Sequence, residues 1–189
     1  GETRIFPADL PENFLQFGTQ SFFGVPFLTV VAVVTVVAVS WYMGSTQAGR
    51  ESYAVGSNPR AASLDGLSSQ KRVFSALILS GALAGLAGAL YVARYATAYS
   101  LIGKGWEIQS VAAVVIGGVA IFGGSGTIWG AALGAILLVT LSRALPVLGV
   151  PALWQQATVG ALILLAIFSD HTVHRRRLRA AIERRGTSA

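Results

Sequence analysis

Five stretches of this chain contain no Asp, Glu, Lys, Arg or His, and they limit what it can fold into: 26–43, 73–93, 109–122, 127–142 and 152–168. A helix crosses the hydrocarbon core of a bilayer with roughly 20 apolar residues, and only helices or closed barrels satisfy their backbone there. The first stretch, Pro26 to Met43, has the core TVVAVVTVVAVS. Its β-branched residues favour a strand by propensity, but the run is too long for one strand and lacks the alternation of a membrane barrel. The expected fold class is therefore all-α, a polytopic transmembrane helical bundle with about five crossings.

Composition agrees. The 189 residues are 53% hydrophobic and only 12% charged, against about 25% charged in soluble domains. There is no cysteine, which excludes disulfides. The chain opens on Gly1, and its first 25 residues lack the order of a signal peptide. It is expected to be a fragment or a processed piece.

Orientation follows from the 14 Lys and Arg. If the 44–72 loop is cytoplasmic, it places Arg50, Arg60, Lys71 and Arg72 inside. Five crossings then bring in the tail with Arg175, Arg176, Arg177, Arg179, Arg184 and Arg185. Only Arg4, Arg94, Lys104 and Arg143 fall outside, as the positive-inside rule requires. The expected organisation is a periplasmic segment over 1–25, a membrane domain over 26–168 and a basic cytoplasmic tail over 169–189. Trp41, Tyr42, Tyr91, Tyr95, Tyr99, Trp106 and Trp154 stand near span ends, where interfacial anchoring places aromatics.

Glycines indicate how the helices pack. Gly81, Gly85 and Gly88 recur at spacings of four and three, and Gly126, Gly130 and Gly134 at spacings of four. Such small-residue faces allow close backbone approach between membrane helices. Gly117 and Gly118, inside the third stretch, are further helix-packing candidates, and GGSG (Gly123 to Gly126) joins that stretch to the fourth. So short a turn implies either two antiparallel helices, giving a glycine-rich hairpin, or a re-entrant break. The string FGGSGT has no following Lys and is not read as a phosphate cradle.

The 44–72 loop carries the most local signal. Asn58 is a favoured cap residue, Pro59 a favoured first helical residue, and Gly66 a natural stop seven positions after Pro59. A short helix is expected, with Arg60, Ala61, Ala62, Ser63, Leu64 and Asp65 forming a small, mildly apolar surface edged by one charge of each sign. That surface suits docking into a groove on another protein; a lone solvated loop helix is the alternative.

The residues Gly49, Arg50, Tyr53, Ala54, Gly56, Asn58, Ala61, Ala62 and Gly66 resemble the cytoplasmic coupling loop of the ribose-type monosaccharide permeases of bacterial ATP-binding-cassette importers. The string EIQSVAAVVIGGVAIFGGSGTIWGAALGA, Glu107 to Ala135, is similar to that family's glycine-punctuated hairpin. Leu148, Gly149, Val150, Trp154, Gln155 and Gln156 fit its outer loop and last helix. The resemblance covers Phe27 to Phe168 and implies the C-terminal half of a permease. Its implied partners are a second permease subunit, a cytoplasmic ATPase dimer and a periplasmic sugar-binding protein, with the assembly in the bacterial inner membrane. Asp65 departs from the family, which usually has a small residue there, and Ser142 with Arg143 replaces Asn followed by a small residue.

The implied mechanism is alternating access driven by the partner ATPase. Motion of the Asn58 to Gly66 helix would pass through Gln70 to Arg72 into the second span. The chain has no phosphate loop with Lys and no carboxylate pair, so no catalytic residue, cofactor or metal site of its own is expected. Trp106, Glu107, Gln109, Ser110, Gln155 and Gln156 are candidates for the translocation path or outer gate; helix capping and binding-protein contacts are the alternative.

Three rival readings were weighed against the permease. Ion-coupled secondary transport is disfavoured because the spans lack ionisable groups. A branched-chain amino acid importer permease shares the architecture, and a non-transport membrane scaffold is the third. His171 and His174 have helical metal spacing but no further ligand, and the basic tail suits anionic membrane lipid rather than nucleic acid.

Overall fold

The computed structural model describes residues 20–22, 24–99, 101–121 and 123–151, with Gly18, Trp154, Ala157, Thr158, Gly160, Ala161 and Leu164 as isolated positions. Most of 1–25, the greater part of 152–168 and the tail 169–189 lie outside the described residues, and with them Gln155, Gln156, His171 and His174. The chain divides into two units, Gly1–Lys104 and Gly105–Ala189.

Among the described residues of the first unit, β1 (Ser21–Phe22) pairs antiparallel with β2 (Val25–Pro26) over two residues each, turned by Gly24 at φ 79°. Helix α1 (Phe27–Ser45) follows directly. Its 19 residues reach about 28 Å at the α-helical rise, close to the roughly 30 Å hydrocarbon core. None of its residues is buried, and Val30, Val33, Val34, Val37 and Trp41 are exposed. A helix apolar on every side and without a protein cover is a membrane span rather than a water-facing element.

Three further helices follow among the described residues of this unit: α2 (Gln47–Ser57), α3 (Pro59–Leu64) and α4 (Ser69–Tyr95). The 27 residues of α4 extend about 40 Å, longer than the core, so one end must project or the helix must tilt. Its start is polar: Ser69, Gln70, Lys71 and Arg72 precede the apolar run that begins at Val73. It ends at Ala96, which takes a left-handed conformation at φ 53°. One turn before that end, the Tyr91 and Tyr95 rings lie 4.5 Å apart between centroids.

In the second unit α5 (Trp106–Ile116) and α6 (Ile128–Val147) form a helical hairpin. The 11 residues of α5 span about 16 Å, roughly half the bilayer core. The helix therefore covers only the first part of the uncharged 109–122 stretch. Its end is a Schellman motif, with Val119 N donating to Val114 O at 3.1 Å and Gly118 N to Val115 O at 2.9 Å. Gly118 supplies the required left-handed φ of 79°. A turn then follows, closed by Ala120 N to Ser125 O at 3.0 Å, with Gly123 and Gly124 both at positive φ. Thr127 caps α6, its Oγ1 accepting from Gly130 N at 3.0 Å.

The two helices meet with almost nothing between their backbones. A Cβ on Gly117 would strike the Gly130 carbonyl, and one on Gly134 would strike the Ala113 carbonyl and lie 2.7 Å from Gly117 N. Contacts pair Gly117 with Gly130 and Ala113 with Gly134, so the helices run antiparallel. Ala112, Ala113 and Leu138 form the small core, with Ile116 and Ala135 packed against it.

Among the described residues, α1, α4 and α6 are long and apolar enough to cross a membrane, and α5 is a shorter apolar helix. A helical turn is also present in the fifth stretch, where Thr158 Oγ1 donates to Trp154 O at 2.8 Å. The chain is a mostly helical, multi-pass membrane protein, and among the described residues the β1–β2 pairing and a bridge position at Ala98 are the exceptions.

Candidate coupling site

The 44–72 segment begins with a sharp reversal at Thr46. Its backbone N–H donates to Tyr42 O at 3.2 Å and its Oγ1 to the same carbonyl at 2.7 Å, which closes the last turn of α1. The same Oγ1 accepts from Gly49 N at 3.1 Å and opens α2. One threonine thus ends one helix and starts the next. Gly49 allows the close return: a Cβ there would strike the Met43 carbonyl and lie 2.6 Å from Met43 Cα. Arg50 Nη1 donates to Ser45 O at 3.1 Å, placing positive charge at the carbonyl end of α1, where the helix dipole favours it.

Helix α3 is held at both ends by backbone chemistry. Asn58 ends α2, and its Oδ1 accepts from Arg60 N at 3.2 Å and Ala61 N at 3.1 Å, with Pro59 in the first helical position. At the other end Leu67 N donates to Ala62 O at 3.0 Å and Gly66 N to Ser63 O at 3.2 Å, a second Schellman motif with Gly66 at φ 81°. Of the six helical residues only Ala62 is buried. Leu64 is 89% exposed, and Arg60, Ala61, Ser63 and Asp65 are exposed around it. A six-residue helix with one buried methyl group depends on its caps.

Asn58→Ala should therefore cost about 1 kcal/mol of local stability, the usual loss for an N-cap. The Arg60 and Ala61 amides should exchange with solvent roughly fivefold faster, with those of α4 unchanged. Hydrogen exchange on the detergent-solubilised chain measures this.

An ion pair ties α2 to the first turn of α4. Arg72 donates to Glu51 Oε2 through Nε at 2.6 Å and through Nη2 at 2.5 Å. Gln47 Nε2 donates to Glu51 Oε1 at 2.8 Å, so both carboxylate oxygens are engaged. The Glu51 side chain is 14% exposed and that of Arg72 30%. Neither Glu51 nor helix α2 was expected from the sequence. The signals available were Thr46 as a cap and the Gln47/Glu51 spacing of four.

The candidate gate residues lie at the opening of α5. Glu107 Oε2 accepts from Gly105 N at 3.1 Å, and Ser110 Oγ donates to Trp106 O at 2.8 Å. Trp106, Glu107, Gln109 and Ser110 are all exposed. The packing glycines separate into two groups. Gly117, Gly126, Gly130 and Gly134 lie against the hairpin's own atoms, whereas a Cβ on Gly81, Gly85, Gly88 or Gly118 would meet nothing within 4 Å. Among the described residues no group of three or more metal-ligating side chains occurs.

The described residues show a multi-pass helical membrane protein with a capped helix between two apolar spans, and sequence comparison is more specific. Residues 3–167 match the family described as the permease component of the branched-chain amino acid transport system. The chain belongs to that family. It is 34% identical over 158 residues to the ribose import permease protein RbsC of Bacillus subtilis, covering 84% of this chain and 49% of that protein. It is likewise 34% identical over 175 residues to the autoinducer 2 import system permease protein LsrC of Yersinia pseudotuberculosis, covering 93% and 48%. The probable permease protein y4mJ of a Sinorhizobium fredii ATP-binding-cassette transporter is 33% identical over 174 residues, covering 92% and 52%. The chain spans about half the length of these relatives. No solved structure matches it.

Proposed function

We infer that this chain is the C-terminal half of an inner-membrane permease for an ATP-binding-cassette importer. It contributes to the path of a monosaccharide or a similar small polar solute, with α3 as the surface that a cytoplasmic ATPase engages. The observation that carries this is Leu64, 89% exposed at the end of a helix that is capped at both ends and buries a single residue. A leucine held in that position by dedicated backbone bonds is arranged for a partner, and the import-permease names of the relatives support the ATPase as that partner.

Partners in this reading are a second permease subunit, a periplasmic solute-binding protein and the ATPase dimer. Solute enters from outside beside Trp106, Glu107, Gln109 and Ser110, near the hairpin. Closure of the ATPase moves α3, and the tightly packed glycine contacts between α5 and α6 offer a bistable element for alternating access. The chain contributes no hydrolytic group; ATP is cleaved on the partner.

The family description favours a second reading, a permease for branched-chain amino acids. Inverted vesicles are unsuitable because the binding protein acts outside, so the test uses proteoliposomes loaded with ATP and containing the assembled importer. Uptake of labelled ribose that requires internal ATP is the expected result. Uptake of labelled leucine alone would move the assignment to the second reading, and uptake driven by a proton gradient without ATP would contradict both.

A further inference from the structure

Helix α3 is joined to the span α4 by two routes, one along the chain, where Ser69 Oγ also donates to Pro59 O at 3.5 Å, and one through α2. The covalent route is short: Asp65, Gly66, Leu67 and Ser68 lead from the end of α3 to the start of α4 at Ser69. Gly66 stands in that link at φ 81°, and its N–H and that of Leu67 are tied back to α3, so the link is anchored to α3 by bonds that do not reach α2. The second route runs through α2. Asn58 joins α2 to α3 by serving both as the end of one and the cap of the other. From α2, Glu51 reaches across 21 positions of sequence to Arg72 with two N–H bonds to one carboxylate oxygen.

We propose that the Glu51–Arg72 ion pair is a positioning clamp that makes α2, α3 and the cytoplasmic end of α4 move as one body when the ATPase pushes on α3. The proposal rests on the coupling role of α3 and adds the residues that transmit it. Three observations support it. Both oxygens of Glu51 are used, one by Arg72 and one by Gln47 on the same helix, which fixes the carboxylate's orientation. The carboxylate is largely shielded from water, so salt screens the pair less than it would screen a surface pair. The surrounding segment is basic: Arg50, Arg60 and Lys71 stand with Arg72 against only Glu51 and Asp65. Without Glu51, Arg72 would face net like charge and lose its reason to stay against α2.

A clamp differs from a simple folding staple in what it transmits. The chain has no cysteine, so a single introduced cysteine is its one labelling site when the environment-sensitive fluorophore is attached before assembly with partners freed of reactive cysteines. Two reporters are placed separately, Ser63→Cys on the exposed face of α3, with co-purification of the ATPase checked after labelling because Ser63 belongs to the docking surface, and Ala76→Cys on α4 beyond the clamp. Each is read in the assembled importer on addition of ATP, in the unaltered background and in Glu51→Gln, Arg72→Gln and the charge-exchanged double variant Glu51→Arg/Arg72→Glu. The α3 reporter should respond to ATP in all four backgrounds, which also shows that the variants are folded and assembled. The α4 reporter should lose at least about fivefold of its amplitude in each single variant and recover in the exchanged pair. An undiminished α4 response in the single variants, or no recovery in the exchanged pair, overturns the clamp while leaving α3 as the docking helix. An α3 reporter that stays silent in the unaltered background overturns the docking reading and the clamp together.

Discussion

Replacing Gly134 with valine should disrupt the α5–α6 hairpin, at a cost of about 3 kcal/mol or more. Gly134 is buried in α6, and the first atom added there collides with the Ala113 carbonyl. The next nearest atoms are Gly117 N at 2.7 Å and Gly117 Cα at 3.0 Å. All of these are backbone, so no flexible side chain can swing away. Relief requires the helices to separate, and separation opens the core of Ala112, Ala113 and Leu138. Overpacking of this kind usually costs 1–3 kcal/mol by itself, about the range found for misfit cores, with lost core contacts added. The detergent-solubilised chain should lose its monodisperse elution or unfold many degrees lower. Even Gly134→Ala should be harmful, whereas Gly81→Ala, whose Cβ meets nothing within 4 Å, should be neutral or slightly stabilising in this chain because alanine is the better helix former by about 1 kcal/mol. Equal stability of the two alanine variants would contradict the packing described here.

That contrast marks the limit of what spacing reveals. Gly81, Gly85 and Gly88 recur as regularly as Gly126, Gly130 and Gly134, yet only the second set meets backbone within this chain. Periodicity identifies a face that permits close approach; it does not identify what approaches. The α3 helix was legible because its determinants are local: Asn58 caps, Pro59 starts and Gly66 turns the chain left-handed. Helix α2 was not legible. Its sequence, QAGRESYAVGS, contains two glycines and no continuous apolar stripe. Its fixed position depends on Thr46 and on Arg72, 21 positions beyond Glu51.

The 109–122 stretch shows a related effect. The absence of charge marks it as membrane-compatible, but charge says nothing about where hydrogen bonding stops. Gly117 and Gly118 end α5 after Ile116, and the Schellman bonds at Val119 and Gly118 satisfy carbonyls that the helix end would otherwise leave open. The signal was present as the glycine pair, and it was read as a packing feature. In Gly118 the structure shows a turn residue instead, with a positive φ and no close neighbour. The first, second and fourth apolar stretches translated directly into α1, α4 and α6 because length and hydrophobicity act on each helix independently of its neighbours.

Leu64→Glu should abolish productive association with the ATPase while leaving the chain folded. At 89% exposure the side chain supports little within the subunit, and the Asn58 and Gly66 caps hold α3 through backbone atoms that the substitution does not touch. Burying a leucine in a groove on the partner is worth about 1.5–3 kcal/mol. A glutamate in the same groove forfeits that and adds the cost of burying an unpaired carboxylate, several kcal/mol more. Together these weaken association by roughly a thousandfold or more. Leu64→Met keeps the volume and apolar character and should behave as wild type, with a cost below about 1.5 kcal/mol.

Co-purification from membranes decides the matter. The tagged importer complex is isolated with unaltered permease, with Leu64→Met and with Leu64→Glu, and bound ATPase is quantified per permease. The ATPase should accompany the first two and be absent from the third, which should still elute as a monodisperse species. Equal recovery of ATPase with all three would show that α3 is not the surface on which the ATPase acts.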